Sequence, residues 1–230
     1  MRFGSYPVLL IVALGLTAST ASRVDAGVIN GSFETGDLAG WSANDPSLAT
    51  AEFSVSSLGT GGTFFPTDLD YLGYLRTGLG VDVATTLSQT FQASAGETLS
   101  FDVFFDTGDD ANNDYGYARL YDGSQNLVAT LFSADEATVG PQGTTGWVSV
   151  SFLIASGGSY TLEFGVANAV DNDSFFDSAL GIDKVSVSAV PEPSSLVLCG
   201  ASALIAAGGL LRRRLFEAAN RGVESLARRP

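Results

Sequence analysis

The run Leu99-Ser-Phe-Asp-Val-Phe-Phe105, with Asp106 behind it, decides the fold. Leu99, Phe101, Val103 and Phe105 share one face, and Ser100, Asp102 and Asp106 share the other. A period of two is the spacing of a strand with one buried side. The alternation returns in Val148, Val150, Phe152 and Ile154, and again in Tyr160, Leu162, Phe164 and Val166. Turn formers separate the runs: Ala95-Gly96-Glu97, Asp122-Gly123 and Gly157-Gly158. Strand-like sequence also covers 53–57, 71–77, 85–93, 117–121, 127–132 and 182–189, which makes about nine strands in all. No helix of any length is predicted between them. The natural architecture is all-β, an antiparallel β-sandwich.

The rest of the chain is read outward from that body. Its 230 residues hold 25 acids against 11 bases, one cysteine and no histidine. The missing histidine excludes a Ser-His-Asp or Cys-His nucleophile and any imidazole zinc site. A lone cysteine excludes an internal disulfide. Residues 27–190 carry 21 acids and three bases (Arg76, Arg119, Lys184), a net of −18, whereas 212–230 carry six arginines and two acids, a net of +4. An acidic body has no basic footprint for phosphates, so nucleic acid is not a partner.

Both ends are apolar. Arg2, the run Val8 to Leu16 and the small residues Thr17 to Ser22 follow the order of a secretory signal peptide, placed at 1–26 with cleavage after Ala26 or Ala21. At the other end Pro191-Glu192-Pro193 precedes 18 uncharged residues, Ser194 to Leu211, and then Arg212-Arg213-Arg214. That length suits a marginal transmembrane helix, with the arginines on the cytoplasmic side and Cys199 inside it. Pro-Glu-Pro, apolar helix and arginine cluster together resemble the PEP-CTERM sorting signal of bacterial exported proteins, here 190–214. The resemblance implies an exosortase as partner, with sorting through Pro191, Glu192, Pro193 and Arg212 to Arg214. The chain departs from that family in its further 16 residues, 215–230, whose spacing suggests a short amphipathic cytoplasmic helix.

Within the body, residues 27–189, Asn30-Gly-Ser-Phe-Glu34 and Gly40-Trp41 resemble the start of jelly-roll carbohydrate-binding modules, and Gly181 to Val187 their closing strand. Phe105-Asp106-Thr107, Asn113-Asp114-Tyr115 and Asp177 to Leu180 look like the secreted β-sandwich domains placed ahead of PEP-CTERM tails. The implied fold is a jelly roll.

Asp183 shares the phase of Val185 and Val187, which aims it at the core. A carboxylate there needs a cation or several hydrogen bonds to offset desolvation. The module resemblance implies the cation, a structural calcium held by Glu34 and Asp183 with backbone carbonyls. Backbone N–H caps are the alternative. Asp110-x-Asn112-x-Asp114 matches the first three ligands of a calcium loop, but Gly116 comes one place late and Tyr121 stands where glutamate is required, so it is no EF-hand. With Asp171, Asp173 and Asp177 these acids also read as solvated turn residues. Tyr115, Tyr117, Arg119 and Tyr121 share one strand face and form a candidate platform for sugar rings. Trp41 and Trp147 read as fillers of the sandwich ends.

The expectation is an exported protein, anchored in the inner membrane until its tail is processed and then at the cell surface or outside it. Its body is non-catalytic, stabilised by calcium and able to hold exopolysaccharide. The alternative is a carbohydrate-active hydrolase with a carboxylate pair.

Overall fold

The computed structural model describes residues 27–111, 113–170 and 177–189. The signal segment, the sorting residues 191–193 and 212–214 and the membrane helix at 194–211 lie outside the described residues, as do Asn112, Asp171 and Asp173.

Two five-stranded antiparallel sheets face each other. One has the order β1 (Ser42–Ala43), β6 (Thr85–Ala93), β11 (Gly158–Ala167), β8 (Tyr115–Asp122), β9 (Leu127–Asp135). The other runs β10 (Val148–Leu153), β7 (Glu97–Thr107), β12 (Ser178–Ala189), β5 (Leu72–Arg76), β2 (Ala49–Glu52). From β5 onward the chain passes from one sheet to the other at each step, except in the β8–β9 hairpin, which is a jelly roll. Period-two sequence dictates the filling. Leu99, Phe101, Val103 and Phe105 of β7 face Leu162, Phe164 and Val166 of β11, all fully buried or within 2% of it. The Phe101 ring meets Phe164 edge-on, centroids 5.1 Å apart.

The sequence-predicted runs seat the large strands correctly and miss a layer. The run at 53–57 is not one strand. β2 ends at Glu52, and Val55–Ser56 (β3) pairs with Thr63–Phe64 (β4) in a separate small hairpin. That hairpin folds over the outer face of the second sheet. There Phe64 stacks on Phe104 at 4.0 Å and Trp147 meets the same ring edge-on at 4.7 Å. With Val55, Leu72, Tyr74 and Ala179 they form a second apolar cluster outside the sandwich. Phe104 sits out of phase with the inner face, and its neighbour Phe105 hid that in the sequence. One helical turn, α1 (Glu136–Val139), also appears in the body, capped by the Asp135 carboxylate, which accepts from Thr138 N at 2.8 Å.

The first stretch of the body, Asn30 to Glu34, works by close approach. A Cβ on Gly31 would lie 1.9 Å from the Val185 carbonyl oxygen, and Val185 N donates to Gly31 O at 2.9 Å. Phe33 is fully buried, its ring lying 2.5 Å from where a Cβ on Gly73 would stand, and it stacks on Trp41 at 5.6 Å. The Trp41 indole N–H donates to Asn30 O at 3.1 Å. Trp41 thus packs against the sandwich core as expected, whereas Trp147 packs on the outer face of the second sheet and not at a sandwich end.

Candidate functional site

The acids come first, because the sequence offered them as metal ligands. A β-bulge between Asp183 and Ser186, with Lys184 at φ +57°, resets the alternation of β12. Ile182 and Val185 both face the core, so Asp183 lies on the opposite face, across from Asp102. This corrects the expectation that Asp183 points inward with the valines: the bulge adds the residue that breaks their common phase. Asp183 is nonetheless 0% exposed, because the 65–71 loop covers it. Its Oδ2 accepts from Thr67 N at 2.6 Å, Asp68 N at 2.9 Å and Thr67 Oγ1 at 3.1 Å, and its Oδ1 accepts from Lys184 N at 2.7 Å. Glu34 Oε1 accepts from Asp70 N at 3.1 Å and Tyr71 N at 3.0 Å. Backbone N–H groups and the Thr67 hydroxyl thus cap both carboxylates, the arrangement the sequence offered as the alternative to a calcium ion. Among the described residues, no three acids stand close enough to hold a metal.

Asp114 is fully buried, its Oδ1 accepting from Ala169 N at 2.9 Å and its Oδ2 from Ser178 Oγ at 2.8 Å. Asp110 is exposed, and its N–H donates to Asp109 Oδ1 at 2.6 Å. The two therefore differ in environment, and Asp114 ties the start of β8 to the start of β12. Asp177 pairs with Arg76 at 2.7 Å. Asp106, 1% exposed, accepts from Ser57 Oγ at 2.7 Å and Leu58 N at 2.6 Å and holds the β3–β4 hairpin. Burial pushes the Asp106 and Asp183 carboxyls above the usual carboxylate range, against the pull of their hydrogen bonds.

The four residues offered as a platform do share one strand face, with Tyr117 itself buried. Tyr115, Tyr117, Arg119 and Tyr121 alternate with the buried Gly116, Ala118 and Leu120, and so face outward from the first sheet. Beside them, β11 contributes Glu163, directly across from Arg119, and Gly165, across from Tyr117. The Tyr117 ring lies flat over Gly165, 2.4 Å from where a Cβ would be, so only glycine leaves room for it. Glu163 Oε1 accepts from Tyr117 Oη at 3.2 Å and from Tyr121 Oη at 3.4 Å. The Arg119 guanidinium carbon sits 3.9 Å from the centre of the Tyr117 ring, a cation–π contact. Burial, then the Glu163 charge, pushes the Tyr117 hydroxyl well above the usual tyrosine range, which keeps it a donor. Glu163 was missed in the sequence, since nothing but strand pairing brings it to the tyrosines. Outward hydroxyls extend the face across β6 and β11, where Thr90 and Thr161 are hydrogen-bonded at 2.9 Å.

A second concave feature lies on the other sheet. A groove of about 370 Å³ is lined by Ser47, Leu48, Thr50, Glu52, Val55, Ser56, Leu58, Tyr74 and Arg76. Antiparallel pairing sets Thr50 opposite Tyr74 and Glu52 opposite Leu72, and the β3–β4 hairpin supplies one wall. Burial pushes the Tyr74 hydroxyl up to about 12, with Arg76 acting in the opposite direction and nearby Glu52 adding slightly.

No family model matches the chain, and no curated protein is matched. In structure it is similar to a family 61 carbohydrate-binding module solved with β-1,4-galactotriose, at 15% identity and a TM-score of 0.43, covering 70% of this chain and 96% of that one. It is similar to a cleaved adhesin domain of Lys-gingipain from Porphyromonas gingivalis, at 18% identity and a TM-score of 0.42, covering 72% of this chain and 99% of that one. A family 16 carbohydrate-binding module is similar at 13% identity and a TM-score of 0.40, covering 70% and 98%.

Proposed function

We propose that this chain is an exported, non-catalytic protein of the cell surface or extracellular matrix whose jelly-roll domain holds polysaccharide on the outward face of β8 and β11. One observation carries the reading: Glu163 binds both Tyr117 and Tyr121, and Arg119 lies over the Tyr117 ring. The rings are thereby set before any ligand arrives, which lowers the ordering cost of binding. A pyranose presents an apolar C–H face and a rim of hydroxyls. The first suits the ring faces of the half-buried Tyr115 and Tyr121, and the second suits the carboxylate, guanidinium and threonine hydroxyls around them. The flat face suits a polymer running across strands.

The export half of the proposal rests on the sequence: a signal segment at 1–26, and Pro191-Glu192-Pro193, the apolar stretch and Arg212 to Arg214 for exosortase handling. The acidic body would then face outward.

Affinity electrophoresis of the full chain in gels cast with neutral and acidic polysaccharides tests the binding. Tyr121→Ala and Arg119→Ala should each weaken retention about tenfold, the equivalent of about 1.4 kcal/mol. Retention by no polymer, or retention unchanged in both variants, would refute the platform. For export, Glu192→Ala should leave an unprocessed, membrane-retained form, and a mass and release identical to the parent would count against exosortase handling.

A further inference from the structure

We propose that the groove between β2, β5 and the β3–β4 hairpin is a second carbohydrate site, separate from the platform and fitted to one or two residues of a neutral sugar. Its volume of about 370 Å³ sits at the low end of ligand pockets, ~300–1,000 Å³. That is room for a short unit and not for a polymer laid lengthwise.

The lining is of the kind a sugar needs. Leu48, Val55 and the Tyr74 ring give it apolar surface for C–H groups. Neither the Glu52 carboxylate nor the Tyr74 hydroxyl has a hydrogen-bond partner among the described residues. Arg76 spends one nitrogen on Asp177 at 2.7 Å, yet its side chain is 46% exposed. A guanidinium has five N–H donors, so others remain for a ligand. A carboxylate accepting from adjacent hydroxyls, beside a guanidinium donating to the ring or its substituents, matches a vicinal diol on a pyranose. The two charges offset each other locally. A uronic acid would meet Glu52 within a body of net charge −18, and an amino sugar would meet Arg76. The neutral sugar is the class that meets no like charge.

Two other grooves lack its free polar groups. One of about 460 Å³ at the β8–β9 turn has its Asp122 carboxylate occupied by Ser124 N and Asn126. One of about 280 Å³ over β7 and β10 has Asp102 taken by Ser149 at 2.5 Å, and Ser100 taken by Ser186. Their polar groups already serve the fold, whereas the Glu52 carboxylate and the Tyr74 hydroxyl of the β2–β5 groove do not.

Saturation-transfer NMR on the full chain with the methyl glycosides of glucose, galactose and mannose, and with methyl glucuronide, tests this. At least one neutral glycoside should receive saturation, with a dissociation constant weakened about tenfold by Glu52→Gln and by Tyr74→Phe. Methyl glucuronide should bind more weakly than methyl glucoside. Tyr74→Phe removes, and Glu52→Gln replaces, only polar atoms with no hydrogen-bond partner, so an unchanged thermal midpoint should accompany the loss. No transfer to any neutral glycoside overturns the proposal, as does transfer that survives both variants or glucuronide binding at least as tight as glucoside. Transfer abolished by Tyr121→Ala instead would assign the sugar to the platform and overturn the second site while leaving the first reading intact. Glycoside binding sensitive to Glu52→Gln, in a chain that no polymer retains, would support the groove and sink the platform.

Discussion

Replacing Asp183 tests how the outer loop is held. The carboxylate takes four hydrogen bonds, three on Oδ2 from Thr67 and Asp68 and one on Oδ1 from Lys184 N. Asp183→Ala leaves the Thr67 and Asp68 N–H groups without acceptors under a covered loop. Each orphaned donor costs ~1–3 kcal/mol, so the change should destabilise by about 3–5 kcal/mol. Asp183→Asn keeps one acceptor but turns an NH₂ group toward the Lys184 N–H, donor against donor. It also removes a charge that burial disfavours, so the loss should be smaller, about 1–3 kcal/mol. In a domain of this size 1 kcal/mol is worth ~2–4 °C, so the alanine variant should melt roughly 6–20 °C below the parent. Urea unfolding of the two variants at constant m gives the ordering.

The pH dependence has a definite sign. The folded-state carboxyls of Asp183 and Asp106 titrate above their unfolded range. Their contribution to stability is therefore fully present below the ordinary carboxylate pKa and is lost as pH rises through the raised folded values. Asp183→Asn should remove its share of that slope. Because Glu34 and Asp183 already accept hydrogen bonds from backbone N–H groups, EGTA should leave the parent's midpoint unchanged. A midpoint lowered by chelator, with Asp183→Asn abolishing the effect, would refute the reasoning and restore calcium. So would an alanine variant as stable as the parent.

Two glycines give further tests. Gly31→Ala places a Cβ 1.9 Å from the Val185 carbonyl oxygen, a backbone atom that cannot swing away. Circular dichroism melts should show a loss of more than about 3 kcal/mol or failure to fold, and a parent-like melt would contradict the close approach at the bulge. Gly165→Ala meets only the far end of the Tyr117 side chain, 2.4 Å away, so the ring should lift. Stability should fall by only about 1–2 kcal/mol, since one hydrogen bond and one cation–π contact are lost. Polysaccharide retention should fall with it, and retention at parental strength would argue against the platform.

The sandwich was legible because each large strand repeats an unambiguous alternation. Leu99 to Phe105 and Tyr160 to Val166 bury the predicted faces. The arm at 53–71 was not legible, because its two-residue strands are too short to show a period, and Val55, Leu58 and Phe64 join the cluster around Phe104 outside the sandwich. Asp183 was misassigned by one bulge, which a two-residue rule cannot see. Tyr117, Arg119 and Tyr121 could be grouped from one strand alone, whereas Glu163, Gly165 and the lining of the β2–β5 groove come from pairing between distant segments.

The amino-acid sequence by itself determined the all-β class, the inner faces of the long strands, the acidic surface and the absence of histidine chemistry. These follow from local periodicity and composition, which act through neighbours in the chain. Only the tertiary structure decided what the buried acids do and which polar groups remain free. A carboxylate's partners here are backbone N–H groups up to 116 residues away, and pairing at such distances leaves no mark on the local pattern.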